Sequence, residues 1–416
     1  MAFSLFPLSL ILLAVLGPMI YNAIRHELTV VGIYRSRTFT SSAQGIHTIP
    51  DTLQCEDIHY YAPNNRIFAA CEDSFLPRFR WFPPLVHLDV PPTSTGSIHV
   101  IDPRRMSSFR LTFENFPGPF VTHGIDVIPD PDRPNAVYIF AVNHLANPEH
   151  HPATRAPKAR SQIEVFHHIL NANTVRHVRS VRHPLVTTPN DIYATSPLSF
   201  YVTNDHRYRE GLMRQIEDIV PWTKWTNVIY VELDQLNVSD EVADVHATVA
   251  LPRMHNCNGL GHGQSTDEIL VTSAIGGKLW RARMNNDDDA NRTLTILDEI
   301  PVDSTIDNPS YYEDPYRTAH DDASGYVLAG LRRAIDVPNT ARDPTATEGV
   351  IVWYVRRKED STGWEKRVIF EDDGTNIRFA SAALLVPIKP ARNLKEAWLF
   401  ITGVMSNSVI TVKVEL

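Results

Sequence analysis

The feature that most narrows the fold is a short phrase of alternating apolar and polar residues that returns six times. It reads GSIHVID at 96–102, SQIEVFHH at 161–168, TNVIYVELD at 226–234, GKLWRARM at 277–284, GVIVWYVRRKED at 349–360 and NSVITVKVEL at 407–416. Alternation with period two marks a β-strand. Successive starts lie 65, 65, 51, 72 and 58 residues apart, which leaves room for about four strands and their loops in each unit. Most phrases are followed by a polar turn and a second alternating run, such as VRHVRSVRH (175–183) or TLTILDEI (293–300). Six such units predict an all-β chain folded as a six-bladed β-propeller. Two packed β-sandwiches compete, but the regular return of one phrase favours radial repetition. The sixth phrase ends the sequence, so its blade must borrow strands from earlier in the chain, with residues near 30–70 as candidates.

Helical periodicity is nearly absent. One exception runs from about Tyr208 to Val220, where Leu212, Ile216, Ile219 and Val220 share a face that would pack on the propeller, roof a central site or touch a membrane surface. The other is N-terminal: residues 3–21, FSLFPLSLILLAVLGPMIY, are apolar over about the length of a membrane span, interrupted by Pro7 and Pro18. Residues 1–25 are therefore expected to form an N-terminal hydrophobic helix acting as a signal peptide or a retained membrane anchor, and 26–416 the propeller. That reading places the protein in the secretory pathway, secreted or membrane-anchored. The sequons Asn237-Val-Ser239 and Asn291-Arg-Thr293 suit such a route as glycosylation sites.

A net charge of -9, from 48 Asp+Glu against 39 Lys+Arg, argues against nucleic acid as a partner. Cys55, Cys71 and Cys257 permit one disulfide at most, and neither CxxC nor HExxH occurs, so the usual zinc patterns are missing. The adjacent pairs His150-His151 and His167-His168 point apart if they lie on strands and are expected at the surface.

Candidate chemistry sits at strand edges: Glu56-Asp57, His123, His144, Asn190-Asp191, Asn258 and Asp307-Asn308. Within TTPNDIYATSPLSFYVTND (187–205), Asn190-Asp191 and Asn204-Asp205 are either turn residues or oxygen donors for a cation, because Asn and Asp do both. A propeller brings one end of each inner strand to a central channel, where residues distant in sequence can meet.

Taken in order, HGI (123–125), VNH (142–144), PNDI (189–192) followed by FYVTNDH (200–206), NG (258–259) and DN (307–308) resemble the serum paraoxonase/arylesterase family of calcium-dependent lactonases. The likeness extends over most of the chain after about residue 50. It implies a six-bladed propeller with two Ca2+ ions in its tunnel. Glu56, Asn190, Asn258, Asp307 and Asn308 would hold the catalytic ion; Asp57, Asp191 and the Ile125 carbonyl would hold a structural one. His123 and His144 would be the catalytic pair, His123 nearest the attacking water.

Calcium takes six to eight oxygen ligands, so carboxylates mixed with Asn amides suit it and suit zinc or copper poorly. Two carboxylates in each proposed set balance the charge of one ion. The expected activity is calcium-dependent hydrolysis of lactones or aryl esters, a carboxylic-ester hydrolase of the arylesterase type. His123 near its ordinary pKa would remove a proton from water, or the metal itself would activate water with His123 structural. The alternatives are a gluconolactonase-like sugar lactonase, or a non-catalytic calcium-stabilised propeller acting as a binding module in the secretory pathway.

Three departures from the family stand out. Its long-range disulfide lacks a C-terminal partner in SNSVITVKVEL, so ring closure must rest on strand pairing. Gly330-Leu331-Arg332 replaces a Gly-Cys-His sequence, putting a cation in place of a candidate active-site histidine, so that substrate preference should differ. Cys257 is either a buried apolar residue or an oxidation-sensitive thiol. Two insertions stand out: FLPRFRWFPPLVHLDVPP (75–92), apolar and aromatic, and LANPEHHPATRAPKARS (145–161), a polar, Pro-containing loop that is a candidate for the tunnel mouth. For the first, lining the pocket, resting on a membrane and packing on the rim all remain open.

Overall fold

The computed structural model describes residues 6–39, 45–153, 156–285, 292–358, 362–390 and 394–416, with side chains from Gly17 onward. Six sheets surround one axis, each a four-stranded antiparallel blade, with Thr112–Glu114 added in parallel as a fifth strand on the outside of one of them. Their innermost strands are Asp57–Tyr61, Thr122–Pro129, Pro189–Ser196, Cys257–His262, Pro309–Tyr312 and Ala380–Pro387, which we number as blades one to six. Neighbouring inner strands touch around the whole ring, from blade one back to blade six. All six repeated phrases fall on the third strand of a blade: Ser97–Asp102, Ala159–Ile169, Thr226–Leu233, Lys278–Met284, Val350–Arg357 and Val409–Glu415.

Closure follows the sequence expectation. His47–Ile49 becomes the outer strand of blade six, antiparallel to the C-terminal strand, with His47 opposite Thr411 and Ile49 opposite Val409. The ends are thus joined by a three-residue ladder rather than a covalent bond. Cys55 and Cys71 form a disulfide inside blade one, and Cys257 is a free, buried thiol. Its burial at 0% exposure among Tyr201, Leu260 and Val271 identifies it as a core residue, and burial pushes its pKa upward.

The core is divided among the gaps between blades. Phe140, Val165, Phe200 and Ile229 fill the gap between blades two and three, and comparable clusters fill the others. Each blade is therefore covered on both faces, unlike a sheet with one wet side. This overturns the expectation for His167 and His168. Both lie on the third strand of blade two and point apart, but both directions are interior. His167 Nε2 meets Asp130 Oδ2 at 2.8 Å, while His168 Nδ1 meets the Thr174 carbonyl at 2.8 Å. His150 and His151, on the loop that follows His144, are exposed as expected.

An N-terminal helix spans Phe6–Val30. Its C-terminal turns dock on blade four: Val30 is buried, and His26 Nε2 lies 2.8 Å from the Gly276 carbonyl. Met19, Ile20, Tyr21 and Ile24 are exposed. The described side chains include Arg25, His26 and Glu27, and among the described residues no helix is long and apolar enough to cross a membrane. The expected hydrophobic helix is to that extent not shown, because the most apolar part, residues 3–16, lies outside the described side chains. Asn237 is exposed on a blade-three loop; Asn291 lies outside the described residues.

The second expected helix forms at Leu212–Ile219, and of the placements left open for its apolar face, packing on the propeller is the one that does not occur. Leu212 and Ile219 are 71% and 78% exposed, whereas Arg214 and Glu217 are buried. The reason is hydrogen bonding: Glu217 accepts the N–H groups of Arg207 and Tyr208, and Arg214 donates to Asp218 and to the Pro84 carbonyl. These bonds hold the helix over the hub as a roof, apolar face outward.

Candidate active site at the propeller hub

The inner strands place their first residues at one end of the central channel. Glu56 precedes the inner strand of blade one, His123 and Asn190 lie near the start of those of blades two and three, Asn258 sits on that of blade four, and Asp307-Asn308 leads into that of blade five. Blade six supplies support. Ser381 and Thr402 donate their hydroxyls to the Glu56 carbonyl, and the Asn308 N–H donates to Ser381 O at 2.8 Å. The side chains converge: Asn308 Nδ2 donates to Glu56 Oε1 at 3.1 Å, and His123 Nε2 stands 3.7 Å from the same oxygen and 3.5 Å from Asn190 Nδ2.

Gly259 makes the blade-four approach feasible. A Cβ there would lie 2.6 Å from Asn308 Cα and 2.7 Å from Asn308 Oδ1, so any side chain would push Asn258 away from the Asp307-Asn308 pair. Gly124 does the same for blades two and three, since a Cβ would meet Asp191 Oδ1 at 2.3 Å.

Five oxygens in this cluster have no hydrogen-bond donor: Glu56 Oε2, Asn190 Oδ1, Asn258 Oδ1, Asp307 Oδ1 and Asn308 Oδ1. A buried acceptor without a partner costs about 1–3 kcal/mol, more when charged. Five in one place form an acceptor-only cage, which fits a hard cation. Burial, and then mutual repulsion from Asp307 and Asp57, raises the Glu56 carboxyl well above its usual range. Asp307 is raised in the same way.

One residue further along the strands lies a second pair of carboxylates. Asp57 Oδ1 and Oδ2 accept the N–H groups of Ile58 and Ile125 at 2.8 and 3.0 Å; Asp191 Oδ1 and Oδ2 accept those of Ile192 and Leu260, each at 2.7 Å. Burial pushes Asp57 up to about 7 and Asp191 well above its ordinary value, with Asp57 repelling it. The contact made at Ile125 is by its amide N–H, which faces Asp57. Asn190 and Asp191, adjacent in sequence, thus serve different tiers of the channel, as alternate strand side chains must.

His123 Nδ1 and His144 Nε2 are 3.0 Å apart, and His144 Nδ1 meets Ser161 Oγ at 2.8 Å. The pair is nearly dry, with Phe82 edge-on to both rings. Burial pushes His123 down to about 3 and His144 well below its ordinary value. The expectation of an unperturbed histidine is therefore corrected: both rings are neutral at pH 7.

Phe82 belongs to the 75–92 insertion, which here forms a wall of the pocket. Trp81 Nε1 donates to the His144 carbonyl at 2.8 Å, and Arg78 Nη2 donates to Glu72 Oε1 at 2.6 Å and to Thr122 O at 2.9 Å. Pro83, Pro84, His144, Ser161, Asp205 and Arg214 line a narrow cavity that reaches His144. The 145–161 insertion reaches its rim, where the Lys158 N–H donates to Glu210 Oε1 at 3.0 Å. Arg332 takes no part: it pairs with Glu371 at 2.7 Å and stacks on Phe39, so the expected effect on substrate preference has no contact to support it.

The sequence profile of the arylesterase family matches residues 89–318. The chain belongs to the arylesterase family. Serum paraoxonase/arylesterase 2 of Canis lupus familiaris is 26% identical over 211 residues, which cover 51% of this chain and 49% of that protein. The Gallus gallus protein of the same name is 32% identical over 223 residues, covering 53% and 54%. The chain thus spans about half the length of the curated relatives it matches. A solved luciferin-regenerating enzyme covers 89% of this chain and 94% of its own at 9% identity and a TM-score of 0.47. The arylesterase match contains His123, Ile125, His144, Asn190, Asp191, Asn258, Asp307 and Asn308 and begins after Glu56 and Asp57, which geometry alone brings to this arylesterase hub.

Sequence reasoning placed Asp205 near the site, and Phe82 and Ser161 only within the two insertions, without singling out either as a neighbour of the dyad. Asp205 accepts from Asn190 Nδ2 at 3.5 Å and pairs with His206 at 3.1 Å. Its position in the TNDH run was the available signal. Asn204 is structural: its Oδ1 accepts the N–H groups of Thr187 and Thr188.

Proposed function

We propose that this chain is a calcium-dependent hydrolase of lactones and aryl esters, with Glu56, Asn190, Asn258, Asp307 and Asn308 as ligands of a catalytic ion. Asp57, Asp191 and the Ile125 carbonyl would hold a second, structural ion. The observation that carries this reading is the set of five donor-less oxygens, one from each of the five proposed ligands. Bound there, calcium supplies a positive centre that polarises a substrate carbonyl and offsets oxyanion charge.

The chain's own residues do the rest. His123 Nε2 faces the oxygen cluster, so it is the atom placed to accept a proton from water. For that nitrogen to be free, the ring proton must sit on Nδ1 and be donated to His144 Nε2. His144 then carries its proton on Nδ1, toward Ser161 Oγ. A neutral, buried imidazole is a weak base, and its partner helps: as Nε2 gains a proton, the Nδ1 proton can move toward His144, so that the positive charge is shared between the two rings, with the Asp205 carboxylate as the nearby anion that favours it. Phe82, Pro83 and Pro84 exclude water and offer an apolar wall to the substrate.

A gluconolactonase-like sugar lactonase is the second hydrolase reading, and a calcium-stabilised binding propeller the non-catalytic one. A panel of aliphatic lactones, aryl esters and sugar lactones, assayed in calcium, then chelator, then calcium again, separates them. Reversible loss on lactones and aryl esters supports the proposal, whereas activity indifferent to chelation, after time for a tight ion to leave, rejects it. Association with a membrane through the N-terminal segment is also proposed, since Met19, Ile20 and Tyr21 of that helix and Leu212 and Ile219 of the roof helix all point outward. Flotation with phospholipid vesicles tests it.

A further inference from the structure

Beyond the two carboxylate tiers the channel holds a third cluster of different chemistry. His59, Asp126 and His262 lie three or four residues further along the inner strands of blades one, two and four than Glu56, His123 and Asn258. At ~3.3 Å per residue this is roughly 10–13 Å deeper along the axis. His59 Nδ1 stands 2.8 Å from Asp126 Oδ1, and His262 Nε2 stands 2.9 and 3.1 Å from Asp126 Oδ1 and Oδ2. The ligand atoms of all three residues lie within 4.8 Å of one another.

We propose that His59 Nδ1, His262 Nε2 and the Asp126 carboxylate form a site for a divalent transition-metal ion of the Zn2+, Co2+, Ni2+ class, distinct from the oxygen-lined hub.

The donor set decides the class. Two imidazoles and one carboxylate suit borderline ions and are too few and too nitrogen-rich for calcium. Construction of the site is directional as well. Asp126 is 2% exposed, and its carboxylate is fixed by the N–H groups of Val127 (2.9 Å, to Oδ1) and Ala194 (2.7 Å, to Oδ2). The remaining lone pairs therefore face the two rings. Tyr193 packs on His262 with ring centroids 4.3 Å apart, and the two histidine rings meet edge to face at 5.4 Å. In the metal-free cluster both rings aim a nitrogen at the same oxygen, Oδ1. An ion would replace the two ring protons directed there.

Metal–ligand distances of about 2.0–2.2 Å call for donor separations of roughly 3.3 Å. The rings must therefore retreat by a few tenths of an ångström. His262, with a side chain 43% exposed, has that freedom, and His59 at 18% leaves the open positions of the ion facing solvent.

The test uses the full chain in 10 mM calcium, which fills the oxygen sites, titrated with Co2+ and Zn2+. One equivalent is expected to bind, with a visible d–d absorption for Co2+ that Zn2+ abolishes and further calcium does not. His262→Ala should weaken binding at least tenfold, and His59→Ala combined with His262→Ala should remove it; replacement of the exposed His150 and His151 should leave it intact. Independently of any variant, the ring-proton resonances of two histidines should broaden on adding Co2+ to the natural protein and be assigned to His59 and His262. No binding in excess calcium, binding unmoved by His262→Ala, or broadening confined to His150 and His151 would each overturn the proposal.

Discussion

The two ends of the channel hold carboxylates in opposite electrostatic conditions. At the near end Glu56 and Asp307 are buried beside other acids, five oxygens lack donors, and burial with repulsion raises their pKa values. Deeper in the channel Asp126 is just as buried, yet His262 and then His59 beside it hold its carboxyl well below the usual range despite the burial. One cluster is incomplete without added positive charge; the other completes itself with histidine. The difference teaches that burial alone does not predict what a carboxylate does. Its neighbours decide whether its oxygens are left without donors or are met by histidine rings.

The largest expected effect of this contrast is on chelation. Removing calcium should abolish hydrolysis and, because the near tiers are left with four crowded acids, lower unfolding free energy by on the order of 5 kcal/mol. Denaturant titration with and without chelator measures it, and a loss below about 1 kcal/mol would mean that the near tiers are not metal sites. Next comes His123→Gln, expected to lower the hydrolytic rate by about 10^2- to 10^4-fold with an unchanged denaturation midpoint in calcium. An unaltered rate would remove His123 from the reaction and leave water activation to the ion.

A third, smaller effect separates protons from ions. In chelator, Asp57 with its pKa raised to about 7 binds a proton in the folded chain at pH values where the unfolded chain does not. Folded-state proton uptake makes stability rise as pH falls, so the metal-free protein should gain about 3 kcal/mol between pH 8 and pH 5. With calcium bound the cation takes the place of those protons and this gain should vanish. Equal slopes in both conditions would break the comparison between the two ends.

How much of this was legible in the sequence depended on locality. The six third strands were readable because each is a continuous run whose alternation survives in the fold. Closure was readable only as a need, and the three-residue strand His47–Ile49 is too short to announce itself. His167 and His168 were misjudged, and the facing of the Leu212–Ile219 helix was left open, for a common reason: which face is interior is set by contacts outside the strand or helix itself. Blades cover both sides of a strand, and Glu217 finds the N–H groups of Arg207 and Tyr208. Motif order located Asn190, Asn258 and Asp307-Asn308, but not Phe82, which reaches the dyad through an insertion that belongs to no motif. Asp126 directly follows HGI and His262 lies three residues past NG, but neither carries a local signal of its own, because the side chains that meet them come from other blades.

The smallest prediction concerns that deeper cluster. Asp126→Asn, in calcium and with transition metals stripped, should cost about 2 kcal/mol near pH 5–6, because an amide cannot accept from both Val127 and Ala194 and its NH2 leaves one of those N–H groups without a partner. The pH dependence follows from two opposite shifts. A depressed Asp126 contributes stability that is present above the ordinary carboxylate range and is lost as pH falls through its folded value. His262 is raised, with Asp126 the cause that opposes burial, so its share is full below its ordinary value of 6.5 and is lost as pH rises through the folded value. The gap between natural protein and variant should therefore be widest between about pH 4 and 6.5 and narrow on both sides. A gap that keeps widening to pH 9 would mean that the histidine charge contributes nothing, and that the deeper cluster is held by the Asp126 backbone bonds alone.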